Sequence, residues 1–132
     1  MNPPDFWFSV ADIALTLFHT LLILFNLLGW IWQGLRKWHL VSLLLTFASW
    51  FVLGIWYGWG YCPFTDWHWQ VLRQLGHTHL PASYISFLIT RLSGLHLPAQ
   101  WVDAITLAGA TGALLANLLL QYFRKYLPAR KK

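Results

Sequence analysis

Cys62, Asp66 and His68 fall close together in the stretch GWGYCPFTDWHW (58–69), with Arg73, His77 and His79 shortly after. These are residue types that bind metals, move protons or carry a thiolate. Spacing narrows that chemistry. C-x5-H and H-x-H are not the ligand spacings of a structural zinc site, and Cys62 is the only cysteine, so no metal is assigned. The same lone thiol has no internal disulfide partner and reports no redox compartment. A Cys/His nucleophile pair needs an activating geometry that the sequence does not fix.

A second constellation lies near the N-terminus. Asp12, His19, Asn26 and Gln33 recur every seven residues, with Thr16 between the first two. Seven residues are close to two helical turns, so one helix carries these side chains as a stripe drifting by about 20° per step. Facing lipid, each would lose its hydrogen bonds to water without replacement, so the stripe is expected to face protein. Two uses are open: interhelical bonding worth about 1 kcal/mol per group, or chemistry at an intramembrane ionisable site. The candidate functional cluster drawn from both constellations is Asp12, His19, Cys62, Asp66, His68 and Arg73.

The elements that must position these residues are membrane helices. The chain has 132 residues, 58% hydrophobic and 10% charged, against about 25% charged in soluble proteins. Its 10 tryptophans suit the headgroup region, where an apolar ring is buried while its polar edge stays wet. Uncharged runs predict three spans, at about 10–33, 39–61 and 101–123, in an all-α polytopic membrane protein forming a single membrane domain over 1–132. The segment PASYISFLITRLSGLHLP (81–98) is bracketed by prolines and carries Arg91 mid-length. Its large apolar side chains recur at helical spacing, which predicts an interfacial or re-entrant amphipathic helix at about 82–97. Pro63 is expected to stop the second span, with Cys62 at its outer end. In the third span Ala108, Gly112 and Ala116 follow a small-xxx-small spacing for close packing on a neighbour, a partner protein or a second copy, and Asn117 and Gln121 supply amides.

The net charge of +5 is confined to the 36–37 pair, the run RKYLPARKK (124–132) and the isolated Arg73 and Arg91. That pattern excludes a nucleic-acid groove and fits bases at a membrane boundary. With three spans both basic clusters fall on one side, which the positive-inside rule makes cytoplasmic, leaving the N-terminus and residues 62–100 outside the inner membrane. The N-terminus lacks a basic n-region and a cleavage site, so no removable signal peptide is expected.

The segments DIALTLFHTLLILFNLLGWIW and CPFTDWHWQVLRQLG, followed by a serine-containing amphipathic segment and a final span, resemble the small bacterial integral membrane proteins of domain of unknown function 2784. The resemblance covers roughly 12–122. Its sharpest elements are Asp12, His19, Phe25 and Gly29 and the Cys62-Pro63-x-Thr65 motif. His68 stands where that family usually has a glutamate, and its later Glu-His pair is absent. The resemblance implies a membrane location and a similar layout, and no activity. The residues themselves leave three functions open. The first is a non-catalytic accessory or assembly subunit acting through helix contacts, with a membrane protein partner or a homo-oligomer. The second is a redox- or metal-linked membrane enzyme component with an outward-facing site near Cys62, Asp66 and His68. The third is an oligomeric transporter or proton path. No cofactor is named by the sequence: bis-histidine haem ligation needs two imidazoles at matching depth, and beside His19 the other spans offer no mid-depth histidine.

Overall fold

The computed structural model describes residues 2–127, so the end of the basic run, 128–132, lies outside the described residues. Three helical rods are long and apolar enough to cross a membrane: Pro3–Ile31, Gln33–Tyr57 and Ala99–Tyr126. There is no strand among the described residues. The protein is an all-α polytopic membrane protein.

Helix α1 (Pro3–Leu28) begins earlier than its uncharged core suggests, because prolines at its first positions lack only amide protons that have no intrahelical partner there. Asp5 in the first turn complements the helix dipole. A 3-10 turn, Gly29–Ile31, tightens the exit. Gly29 is required by a close approach: a Cβ there would come within 2.8 Å of the His39 ring.

The second rod is segmented. Helix α2 (Arg36–Ala48) passes into a π turn at Ser49–Leu53 and then a short α3 (Gly54–Tyr57). It ends at Tyr57 rather than near 61 because Gly58 adopts φ 103°, ψ 146°, a region essentially closed to side chains. The chain then doubles back. The Gly60 amide donates to the Trp50 carbonyl at 3.3 Å, and Ser49 Oγ donates to the Tyr61 carbonyl at 2.7 Å. The aromatic stretch therefore folds back along the second rod instead of leaving it. Cys62 sits beside the π turn, roughly two helical turns short of the tip where it was expected.

Pro63 does not stop the second span; it starts a helix. Helix α4 (Pro63–Gln74) has Pro63 at its first position and Asp66 in its first turn, both favourable at an N-terminus. The sequence reading missed this element. Helix α5 (Tyr84–Ser93) is shorter than the expected 82–97: Ser83 caps its start by accepting from the Ser86 amide, and Gly94, at φ 74°, closes its end in the left-handed conformation. Helix α6 (Ala99–Tyr126) is the third rod.

Two apolar cores hold the bundle. Leu43, Ala110 and Ala113 join α2 to α6, flanked by Trp30, Phe47 and Trp50. Trp69, Leu72, Tyr84 and Leu88 join α4 to α5 and pack against Ile23 of α1. The small-residue contact of α6 differs from the expected one. Gly109 lies against Leu27, and Ala110 and Ala113 are buried, whereas Ala108 is exposed and a Cβ on Gly112 would meet nothing within 4 Å. Asn117, buried one turn beyond Ala113, fixes which face turns inward.

Candidate functional site

The polar stripe of α1 faces protein at Asp12, Thr16, His19 and Asn26, while Gln33 lies beyond the helix, exposed at the start of the second rod. At the N-terminal end of the stripe Asp12 is held by two helices. Arg91 of α5 reaches it through both terminal nitrogens, Nη1 to Oδ1 at 2.8 Å and Nη2 to Oδ2 at 2.9 Å. His68 of α4 donates from Nε2 to Oδ1 at 2.7 Å. A carboxylate only accepts, so Nε2 is the protonated nitrogen. On the other side of the ring Nδ1 lies 3.1 Å from the Tyr84 hydroxyl. Thr16, one turn along α1, donates to the Asp12 backbone carbonyl and accepts from Arg91 at 3.2 Å.

His68 is fully buried and Tyr84 nearly so, while the Arg91 side chain keeps 37% of its surface exposed. Burial pushes the Tyr84 phenol up to about 12, so it keeps its proton at neutral pH. The hydrogen bond from Arg91 to Asp12 raises the guanidinium further and keeps it charged. The imidazole of His19, one turn past Thr16, stacks on the Tyr84 ring with centroids 3.7 Å apart and planes within 11°. Asp12, His68 and Tyr84 thus form a carboxylate–imidazole–phenol chain along which a proton can shift, with Arg91 balancing the carboxylate charge.

Of the six candidates from sequence, the structure brings three together: Asp12, His19 and His68. The others stand apart. Asp66 accepts from the Tyr61 hydroxyl at 3.3 Å, within its own end of the chain. Arg73 is exposed and makes no side-chain hydrogen bond or ion pair among the described residues. Cys62 is a part-buried free thiol. No group of three or more His, Cys, Asp or Glu side chains is placed to hold a metal among the described residues. The cation that joins Asp12 is Arg91, on the amphipathic segment, and the phenol is Tyr84; sequence reasoning used Arg91 only as an argument against a fourth crossing. The signal was available: a lone arginine in an otherwise apolar helix needs an anion, and Asp12 is the acid nearest the middle of a span.

A second polar knot lies further along α1. Asn26 donates from Nδ2 to Thr46 Oγ1 at 3.0 Å and accepts from Ser42 Oγ at 2.6 Å. Its backbone carbonyl, among the last four of the helix and so without an intrahelical partner, accepts from His39 Nε2 at 2.8 Å. The other nitrogen of that fully buried imidazole, Nδ1, accepts from Asn117 Nδ2 at 2.7 Å, so His39 is neutral with its proton on Nε2. Asn117 also donates to the Arg36 carbonyl at 2.8 Å, and Gln121 donates to Asn117 Oδ1. The sequence reading identified both amides but not His39. Its spacing with Ser42 and Thr46, a polar stripe on an apolar helix, was the signal.

Residues 9–122 match the family described as Protein of Unknown function (DUF2784), and the chain belongs to it. No curated protein matches the chain, and no solved structure does.

Proposed function

We propose that this member of DUF2784 is a non-catalytic accessory or assembly subunit of the inner membrane, acting through helix contacts, with its N-terminus outside and its C-terminus in the cytoplasm. One observation carries the reading: the carboxylate and amide groups of the stripe are spent on other helices of the same chain, and His19 is held between them by stacking on Tyr84 rather than by a hydrogen bond. Both oxygens of Asp12 are taken by Arg91 and His68, both polar atoms of the Asn26 amide are bonded to α2, and Gln33, with its amide set so that the oxygen faces Arg124, accepts from that guanidinium. A group that must receive substrate needs an unfilled position, and a fully bonded network rigidifies a scaffold instead. What remains unspent is the outer surface of the rods, where Ala108 and Gly112 leave backbone open to close approach by another helix.

The second reading, a redox-linked or proton-handling component, is favoured by the Asp12–His68–Tyr84 chain alone. Purification from native membranes in mild detergent separates the two. The scaffold reading expects a stoichiometric protein partner that is lost in Gly112→Leu while the variant stays monodisperse. A metal or chromophore retained by the wild type and lost in His68→Gln would replace it with the second reading.

A further inference from the structure

About 30 Å along α1 from Asp12, where α2 begins and α6 ends, Gln33, Arg36, Phe123, Arg124 and Leu127 line a cavity of about 400 Å³. Its two arginines come from different helices and are held in place. Arg36 donates from Nε to the Trp30 carbonyl at 2.8 Å, leaving its two terminal nitrogens without a side-chain or backbone acceptor among the described residues. With the Gln33 amide assigned so that its oxygen faces the guanidinium, Arg124 fans three nitrogens around that oxygen at 2.8 to 3.1 Å. One neutral oxygen does not balance two guanidinium charges, and Lys37 and Lys125 stand next to them in sequence.

Among the described residues no side-chain carboxylate is near enough to supply the missing charge. The four acids are Asp5, Asp12, Asp66 and Asp103. Asp5 and Asp12 lie in the first half of α1, Asp66 opens α4, and Asp103 lies about 30 Å along α6 from Arg124. The basic end is therefore an uncompensated cationic cavity at the end of two membrane-spanning rods, with Phe123 and Leu127 as exposed apolar walls.

We propose that this cavity binds the phosphodiester of an anionic phospholipid, its oxygens shared between Arg36 and Arg124 and its acyl chains leaving over Phe123 along the rods. Guanidinium groups match phosphate oxygens in bidentate geometry, and basic pockets between membrane helices are suited to acidic headgroups. A soluble phosphate would use the arginines but not the apolar walls, which is why the lipid is the chosen occupant.

The test is native mass spectrometry of the full chain in mild detergent, supplemented with phosphatidylglycerol or phosphatidylcholine. A one-to-one phosphatidylglycerol adduct is expected, with little phosphatidylcholine retained. Arg36→Lys and Arg124→Lys keep the charge but lose the planar fork, and each should weaken the adduct by about tenfold. Lys125→Gln removes a charge beside the cavity without touching its lining and should leave the adduct unchanged. Equal retention of phosphatidylcholine, an undiminished adduct in both arginine variants, an equal loss in Lys125→Gln, or displacement by inorganic phosphate alone would each overturn the proposal. The lysine variants conserve size and charge; any that is not monodisperse is replaced by competition of phosphatidylglycerol against phosphatidylcholine on the wild type, which reads the headgroup preference directly.

Discussion

Asp12 carries more of its end of the bundle than any other side chain, because α4 and α5, both too short to span a bilayer, are attached through it. Its partners His68 and Arg91 are distant in sequence, so removing the carboxylate leaves a buried imidazole N–H without an acceptor and a guanidinium with only the Thr16 hydroxyl. Asp12→Ala is expected to lower stability in detergent by about 2–3 kcal/mol, less than the roughly 3–5 kcal/mol of breaking a fully buried pair, since Arg91 can turn to water. Arg73→Ala, by contrast, removes an exposed side chain with no bond and should stay within about 0.5 kcal/mol. Thermal unfolding of the two variants checks both, and an equal loss would return Arg73 to the site. Tyr84 adds a pH dependence of definite sign. Its phenol is raised from 10.0 to about 12 by burial, so the neutral form is favoured in the folded protein. The stability it contributes is complete below pH of about 10 and is lost as pH climbs toward 12. Absorbance titration of tyrosinate should show one late step near the top of that window that is absent in Tyr84→Phe.

At the scale of elements, the segment between the second and third rods decides the architecture. The return of the chain after Tyr57 depends on Gly58 and Gly60, with φ of 103° and 82°. It also depends on Gly54, where a Cβ would come within 3.2 Å of the Trp59 backbone. Gly58→Ala should therefore cost about 1–3 kcal/mol locally and loosen the seat of Tyr61 on Ser49. A membrane-impermeant thiol reagent should label Cys62 slowly in the wild type and several times faster in this variant; an unchanged rate would mean that the doubled-back turn does not shield the thiol. The three rods and the amphipathic α5 were legible because length without charge, flanking prolines and helical spacing act locally. Helix α4 was not, because a proline can end one helix or begin another by the same chemistry, and only the fold-back, a tertiary event, shows that Pro63 begins one. The site was half legible for the same reason. The seven-residue stripe identified Asp12, His19 and Asn26, but which cation and which phenol meet them depended on where α4 and α5 dock. Proximity in sequence suggested Asp66 and Arg73 instead.

The whole molecule is polarised along the bundle. All four acids belong to one half, and the basic pair at 36–37 with Arg124 and Lys125 belongs to the other. The Asp12 knot neutralises charge internally in the first half, whereas the second is left cationic and closed by the neutral His39–Asn117 knot. Such an asymmetry is what orients a multi-pass protein, because short loops rich in lysine and arginine are retained in the cytoplasm. An odd number of spans also forces the two termini to opposite faces. Reporter fusions after Gln33 and after Lys132 are both expected to read cytoplasm, and one at the N-terminus to read the outside. If the fusion at Lys132 read the outside while that at Gln33 read the cytoplasm, α4 and α5 together would have to carry the chain across once more. Helix α5 has only 10 residues, about 15 Å against a hydrocarbon core of about 30 Å, and Arg91 within it is tied to Asp12. The Arg91–Asp12 bond that ties the short helix to the N-terminal half of α1 works with its length against a crossing, and breaking it with Arg91→Leu is the substitution most able to change the topology that the fusions read.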